Sequence, residues 1–209
     1  MRIIAGARKG RVLAAPQGTT TRPTADRVRQ ALFDMLLHAP WGGSRLLDNA
    51  HVLDAFAGTG ALALEALSRG AAQATFFETD RSALAALRAN IAGCGWQDRC
   101  KVFAKDVTSP PRAGPPRAGV PCSLLFLDPP YRQNFPARTL AALKAQGWIA
   151  PHAIAVIETS AQEPLPLLDI EQQGVSVPET DDPLPVFSGA LLAERKHGAA
   201  RISVWRIEG

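Results

Sequence analysis

Between residues 51 and 158 short apolar runs alternate with amphipathic stretches, and this alternation restricts the chain to one broad class of fold. Segments 51–55, 74–78, 101–104, 123–127 and 153–158 read as strands. Segments 60–69, 80–91 and 136–147 read as helices, with Asp80 as an N-terminal cap and Gly70 as a stop. Strands separated by helices pair in parallel, because a parallel connection needs a crossover. The expectation is an α/β chain with a Rossmann-like sheet covered by helices on both faces. Segments 170–177 and 200–207 look like further strands.

The first 45 residues differ from this pattern and are expected to form a separate extension to a domain spanning 46–209. The runs at 2–5 and 11–14 can pair as a small hairpin. Thr24 looks like an N-cap, with Asp26 where the helix dipole favours an acid. Val28, Ala31, Leu32, Met35 and Leu36 then recur at helical spacing up to Pro40.

Charge is concentrated in the same extension. Residues 1–30 hold seven basic side chains and one acid, whereas the whole chain has a net charge of only +4. A basic arm suits a polyanion such as nucleic acid, although a solvated basic face is the other reading. Arg8, Lys9, Arg11, Arg22, Arg27 and Arg29 are the candidate phosphate contacts. Three cysteines without a C-x-x-C pair argue against a disulfide framework or a zinc site. With no transmembrane run and no signal-peptide stretch, a cytoplasmic protein without a membrane partner is expected. The repeat PPRAG-PPRAG lies in a Pro-rich loop at 109–121, which either presents Arg112 and Arg117 to RNA or is a tolerated length variation.

Two motifs carry chemistry. The first is Asp54-Ala-Phe56-Ala-Gly58-Thr59-Gly60, between a strand and a helix. Gly58 and Gly60 allow the backbone to turn tightly and approach a ligand, with amides at the helix start facing it. Glu78, at the end of the next strand, is placed to accept hydrogen bonds from ribose hydroxyls. The pattern also fits a nicotinamide dinucleotide. Asp54 favours S-adenosylmethionine instead, because an acid repels a pyrophosphate and attracts an ammonium and a sulfonium. Asp106, past the third strand, is either an acceptor for the adenine amine or a loop turn-former.

The second motif, Asp128-Pro129-Pro130-Tyr131, follows the fully apolar run 123–127. The prolines fix their own φ angles and leave carbonyls without competing amide hydrogens. Two acceptors, the Asp128 carboxylate and the Pro129 carbonyl, suit an exocyclic amine whose lone pair must be directed at a methyl group. The carboxylate also stabilises the positive charge that develops on nitrogen. Tyr131 can stack on a base.

These residues resemble the RsmD family of bacterial 16S rRNA guanine-N2 methyltransferases. The likeness begins at Met1-Arg-Ile-Ile-Ala-Gly6 and continues through Arg22-Pro-Thr-x-Asp-Arg-Val-Arg29 and the block from Asp54 to Gly70. It ends with Asp128-Pro-Pro-Tyr131 and the tail from Arg195 to Trp205. The resemblance implies a class I S-adenosylmethionine-dependent methyltransferase fold, a seven-stranded, mostly parallel sheet with an antiparallel last strand. It implies cofactor contacts at Asp54, Phe56, Gly58, Thr59, Gly60, Glu78, Asp106 and Asp128. The target base would lie on Asp128, Pro129, Pro130 and Tyr131. It further implies S-adenosylhomocysteine as product, no metal, and a monomer acting on 16S rRNA, the small ribosomal subunit or an assembly intermediate.

Other classes fit less well. A DNA adenine-N6 methyltransferase shares the second motif but needs more chain to read a DNA sequence. A nicotinamide oxidoreductase would need a proton donor, and no Tyr-x-x-x-Lys pair is present. A non-catalytic RNA-binding module would keep the basic arm without needing Asp128, Pro129 and Pro130 together.

Overall fold

Apolar runs flanked by turn residues form the strands of the computed structural model, which describes residues 1–15, 23–114, 120–130, 135–169 and 187–207. The chain divides into two units, Met1–Asp106 and Val107–Gly209.

In the first unit β1 (His51–Asp54), β2 (Gln73–Phe77) and β3 (Cys100–Phe103) pair in parallel, in the order β3-β2-β1. Helix α2 (Ala61–Ser68) makes the first crossover and α3 (Arg81–Cys94) the second. Val52, Leu53, Phe76 and Phe77 from the strands and Leu64, Leu67 and Leu87 from the helices are buried. Removing such apolar area from water is the dominant favourable term in folding. Asp80 caps α3 as expected, accepting from the Ala83 amide at 2.8 Å. Gly95 closes the helix in the left-handed conformation.

The extension departs from expectation in two ways. Its hairpin is reduced to a single bridge, Arg2 to Val12, around a 3-10 turn at Gly6–Arg8. Helix α1 (Pro23–His38) starts two residues earlier than a Thr24 cap implies. Proline's fixed φ and missing amide suit the first helical position. The buried stripe of α1 runs through Arg29, Leu32, Phe33 and Leu36.

In the second unit β4 (Cys122–Leu127) pairs in parallel with β5 (Ile149–Ser160), following α4 (Phe135–Ala145). The last strand, β8 (Ala200–Ile207), is antiparallel to β5, as expected, and also to β7 (Ser188–His197). A two-residue β6 (Leu168–Asp169) joins β7 in parallel. The order in this unit is β4-β5-β8-β7-β6. With β6 the described strands number eight, one more than the seven expected. Strand β7 escapes sequence reading because its run Glu194-Arg-Lys-His197 is polar. The strand expected at 170–177 lies outside the described residues, as do Arg22, residues 115–119 of the Pro-rich loop, and Tyr131.

Candidate active site

Because β1, β2 and β3 run parallel, their carboxyl ends share one edge, where open α/β sheets bind ligands. Asp54 ends β1, Glu78 follows β2 and Asp106 lies three residues past β3. Asp54 is buried, and its Oδ2 accepts the Ala63 amide at 3.3 Å, which fixes the first turn of α2. Gly60, the residue before α2, has no side chain to cap it, so Asp54 serves as the acceptor from the strand end.

The glycine turn is held by the carboxylate that follows β2: the Gly58 N–H donates to Glu78 Oε2 at 2.7 Å. Glu78 Oε1 accepts the Thr79 and Asp80 amides at 2.7 and 2.8 Å. A carboxylate offers about four acceptor positions, so Glu78 organises both loops and keeps capacity for a hydroxyl.

The two glycines play different parts. At Gly60 φ is +80°, and an added Cβ would lie 2.4 Å from Leu87 Cδ1 and 3.2 Å from Phe76 Cε1. At Gly58 φ is +53°, and an added Cβ would meet nothing within 4 Å. Gly60 is therefore required by packing, whereas Gly58 borders open space. Phe56 and Thr59 are half-buried beside it, and Asp106 is exposed. Acids with an open glycine and no basic group in the turn fit a cationic, ribose-bearing ligand better than a pyrophosphate.

In the second unit Asp128 directly follows β4, with Pro129 buried and Pro130 exposed. Leu127 pairs with Ile157 of β5, so Asp128 and Glu158 follow each other's neighbours on parallel strands. The Asp128 side chain is open to solvent, yet the protein around it thins its hydration. This burial, followed by the negative charge of Glu158, pushes its carboxyl up to about 7.

Sequence reasoning missed three polar residues. Glu158 closes the apolar run Ala153-Ile-Ala-Val-Ile157 inside β5, and an acid directly after that run is its local signal. Glu65 and Asn90 sit inside apolar helices. Glu65 is buried and accepts the Ile4 and Ala5 amides at 2.7 and 3.0 Å and Arg69 Nε at 2.7 Å. Asn90 lies on the buried stripe of α3 with Leu87, Ile91 and Cys94.

The basic set also needs correction. Arg29 is only 5% exposed; its guanidinium donates to the Arg2 carbonyl and to Asp26 Oδ1 and lies 3.8 Å from Glu65 Oε2. It occupies the apolar stripe of α1 and is removed from the phosphate contacts. Lys9, Arg11 and Arg27 are exposed. Arg8 is exposed as well, but its Nε donates to the Cys94 carbonyl at 2.8 Å and its guanidinium lies over the Trp96 ring. Burial pushes the thiols of Cys100 and Cys122 up to about 12, so neither is a nucleophile at neutral pH.

Residues 1–173 match the family model described as Conserved hypothetical protein 95. The chain is 39% identical over 166 residues to ribosomal RNA small subunit methyltransferase D of Escherichia coli, covering 79% of this chain and 78% of that protein. The protein of the same name in Haemophilus influenzae is 33% identical over 170 residues, 79% of this chain and 81% of its own. Among solved structures, the YhhF protein of Escherichia coli superposes with a TM-score of 0.72 at 30% identity, covering 100% of this chain and 98% of that one.

Proposed function

Because this chain belongs to the RsmD family, with the fold of class I methyltransferases, we propose that it methylates the exocyclic N2 of a guanine in 16S rRNA. The observation that carries the reading is Asp128-Pro129-Pro130 at the end of a buried parallel strand, beside Glu158.

The chemistry follows from those groups. The guanine N2 lone pair is delocalised into the ring. The Asp128 carboxylate and Pro129 carbonyl accept its two hydrogens and direct the lone pair at the methyl donor. Asp128 stabilises the cationic nitrogen as it forms. The surplus proton then passes to Asp128, whose affinity for protons near neutrality suits it to take one and release it to solvent. Tyr131 stacks on the base, which must leave any helix to reach the site.

S-adenosylmethionine, when bound, supplies the electrophilic methyl group. Asp54 and Gly58–Gly60 would hold its methionine part, with Phe56 beside them, Glu78 the ribose hydroxyls and Asp106 the adenine amine. Arg8, Lys9, Arg11, Arg22 and Arg27 contact RNA phosphates. No metal is needed. The partner is the small ribosomal subunit or an assembly intermediate, met by a monomer in the cytoplasm.

The test is transfer of labelled methyl to unmodified small subunits, naked 16S rRNA and duplex DNA. Label in ribosomal RNA supports the proposal. Label in DNA alone, as N6-methyladenine, overturns it.

A further inference from the structure

We propose that Asn90 is a positioning residue that couples the basic arm to the glycine turn, so that ligand at the turn and RNA on the arm strengthen each other. The inference rests on the reading given under Proposed function.

Helix α3 is a fixed post, capped by Asp80 at one end and by Gly95 at the other. Asn90 projects from it and is only 5% exposed. Its Oδ1 accepts the Ala14 amide at 2.7 Å, and its Nδ2 donates to the Ala14 carbonyl at 3.0 Å. The second Nδ2 hydrogen goes to the Thr59 carbonyl at 2.9 Å. One carboxamide thus holds both polar groups of an arm residue and one carbonyl of the turn, using both donors and its oxygen. An aspartate lacks both donors, and an aliphatic side chain lacks all three groups. Asparagine is a poor helix former, so the local sequence gains nothing from it.

A second contact ties the same turn residue to the arm. The Thr59 hydroxyl donates to Met1 Sδ at 3.7 Å. Thr59 stands between the two positive-φ glycines, which carry no Cβ to restrict the peptides on either side of it. A shift of its carbonyl is felt at Ala14 through Asn90. By thermodynamic linkage, whatever the turn does to the arm the arm does to the turn.

The link is separable from docking of the arm as such. Other ties run to different groups: Ile4 and Ala5 to Glu65, the Arg8 amide to Ser68 Oγ at 3.0 Å, and Arg8 Nε to the Cys94 carbonyl. A change at Asn90 leaves all of these in place.

The experiment is hydrogen exchange of the arm, residues 2–15, in the full chain with and without saturating S-adenosylhomocysteine. Asn90→Asp puts a carboxylate against two carbonyl oxygens. Ala14→Pro removes the arm's amide without touching α3, and it carries the test if Asn90→Asp does not fold. In the wild type the product slows arm exchange at least about fivefold, the lower end of usual coupling strengths. In Asn90→Asp the slowing disappears, and in Ala14→Pro, which keeps the residue-14 carbonyl on Nδ2, it weakens. A merely structural role would speed exchange in both states and keep their ratio. An intact ratio in a folded variant, or no slowing in the wild type, overturns the inference. If the product binds and methyl transfer stands, only the coupling falls. If the wild type binds no product at all, the proposed function falls with it.

Discussion

Replacing Glu65 by alanine removes the group on which the arm, α1 and α2 meet. The side chain is fully buried, and its two oxygens take the Ile4 and Ala5 amides and Arg69 Nε, with Arg29 Nε 3.8 Å away. Hydrogen bonds to a charged partner are worth about 1.5–3 kcal/mol each. Breaking a buried ion pair by removing one partner costs about 3–5 kcal/mol, because it strands the other charge. These figures describe overlapping losses, so about 3–5 kcal/mol is expected for Glu65→Ala. Domains are stable by about 5–15 kcal/mol, which makes this a large fraction. At about 2–4 °C per kcal/mol for a chain of this size, the melting temperature falls by roughly 6–20 °C. Glu65→Gln keeps the shape and one acceptor and should lose about half as much. Urea and thermal unfolding give the values, and hydrogen exchange at Ile4 and Ala5 locates the damage. Losses below about 1 kcal/mol in both variants would refute the reasoning that the carboxylate outweighs its desolvation.

Three further outcomes follow from the site. Gly58→Ala should weaken S-adenosylhomocysteine binding at least about tenfold with a modest stability loss, whereas Gly60→Ala should lose about 2–4 kcal/mol of stability through its positive φ and its clash with Leu87; calorimetry and urea unfolding separate the two. Methyl transfer needs the Asp128 carboxylate, raised to about 7, so kcat should fall as pH drops through that value; Glu158→Gln removes a negative neighbour and should move the acid limb of the pH profile to lower pH, and a move to higher pH would contradict the assignment. Neutralising Lys9, Arg11 and Arg27 together should weaken RNA binding and flatten its salt dependence by up to about 2 in the log–log slope, at about 0.7 per single-strand phosphate contact; an unchanged slope would remove the arm from the RNA interface.

Much of the fold was legible because it rests on local signals. The alternation of apolar runs and helical stretches, the Asp80 cap and the Gly70 stop depend on neighbours a few residues apart, and each strand and α-helix from β1 to β5 overlaps the segment they put it in, whereas the Gly95 stop of α3 was not read. The Asp128 motif was legible for the same reason. Glu65 and Asn90 were not, since their partners lie 60 and 76 residues away and a lone polar residue in an apolar helix says nothing of them. Arg29 was misread because net charge outweighed spacing: its place at i relative to Leu32, Phe33 and Leu36 puts it on the buried stripe. Gly58 was half understood. Its freedom to turn was visible, but the carboxylate that takes its amide comes from another strand.

The most direct test is nucleoside mass spectrometry on 16S rRNA from unmodified small subunits treated with the wild type and with Asp128→Asn. N2-methylguanosine formed by the wild type and lost by at least about 10²-fold with the variant is the predicted result, the size expected for removing a charge-stabilising group at the reacting atom. Methylation that survives in Asp128→Asn, or a methyl group found on a ring atom or a ribose, would contradict it.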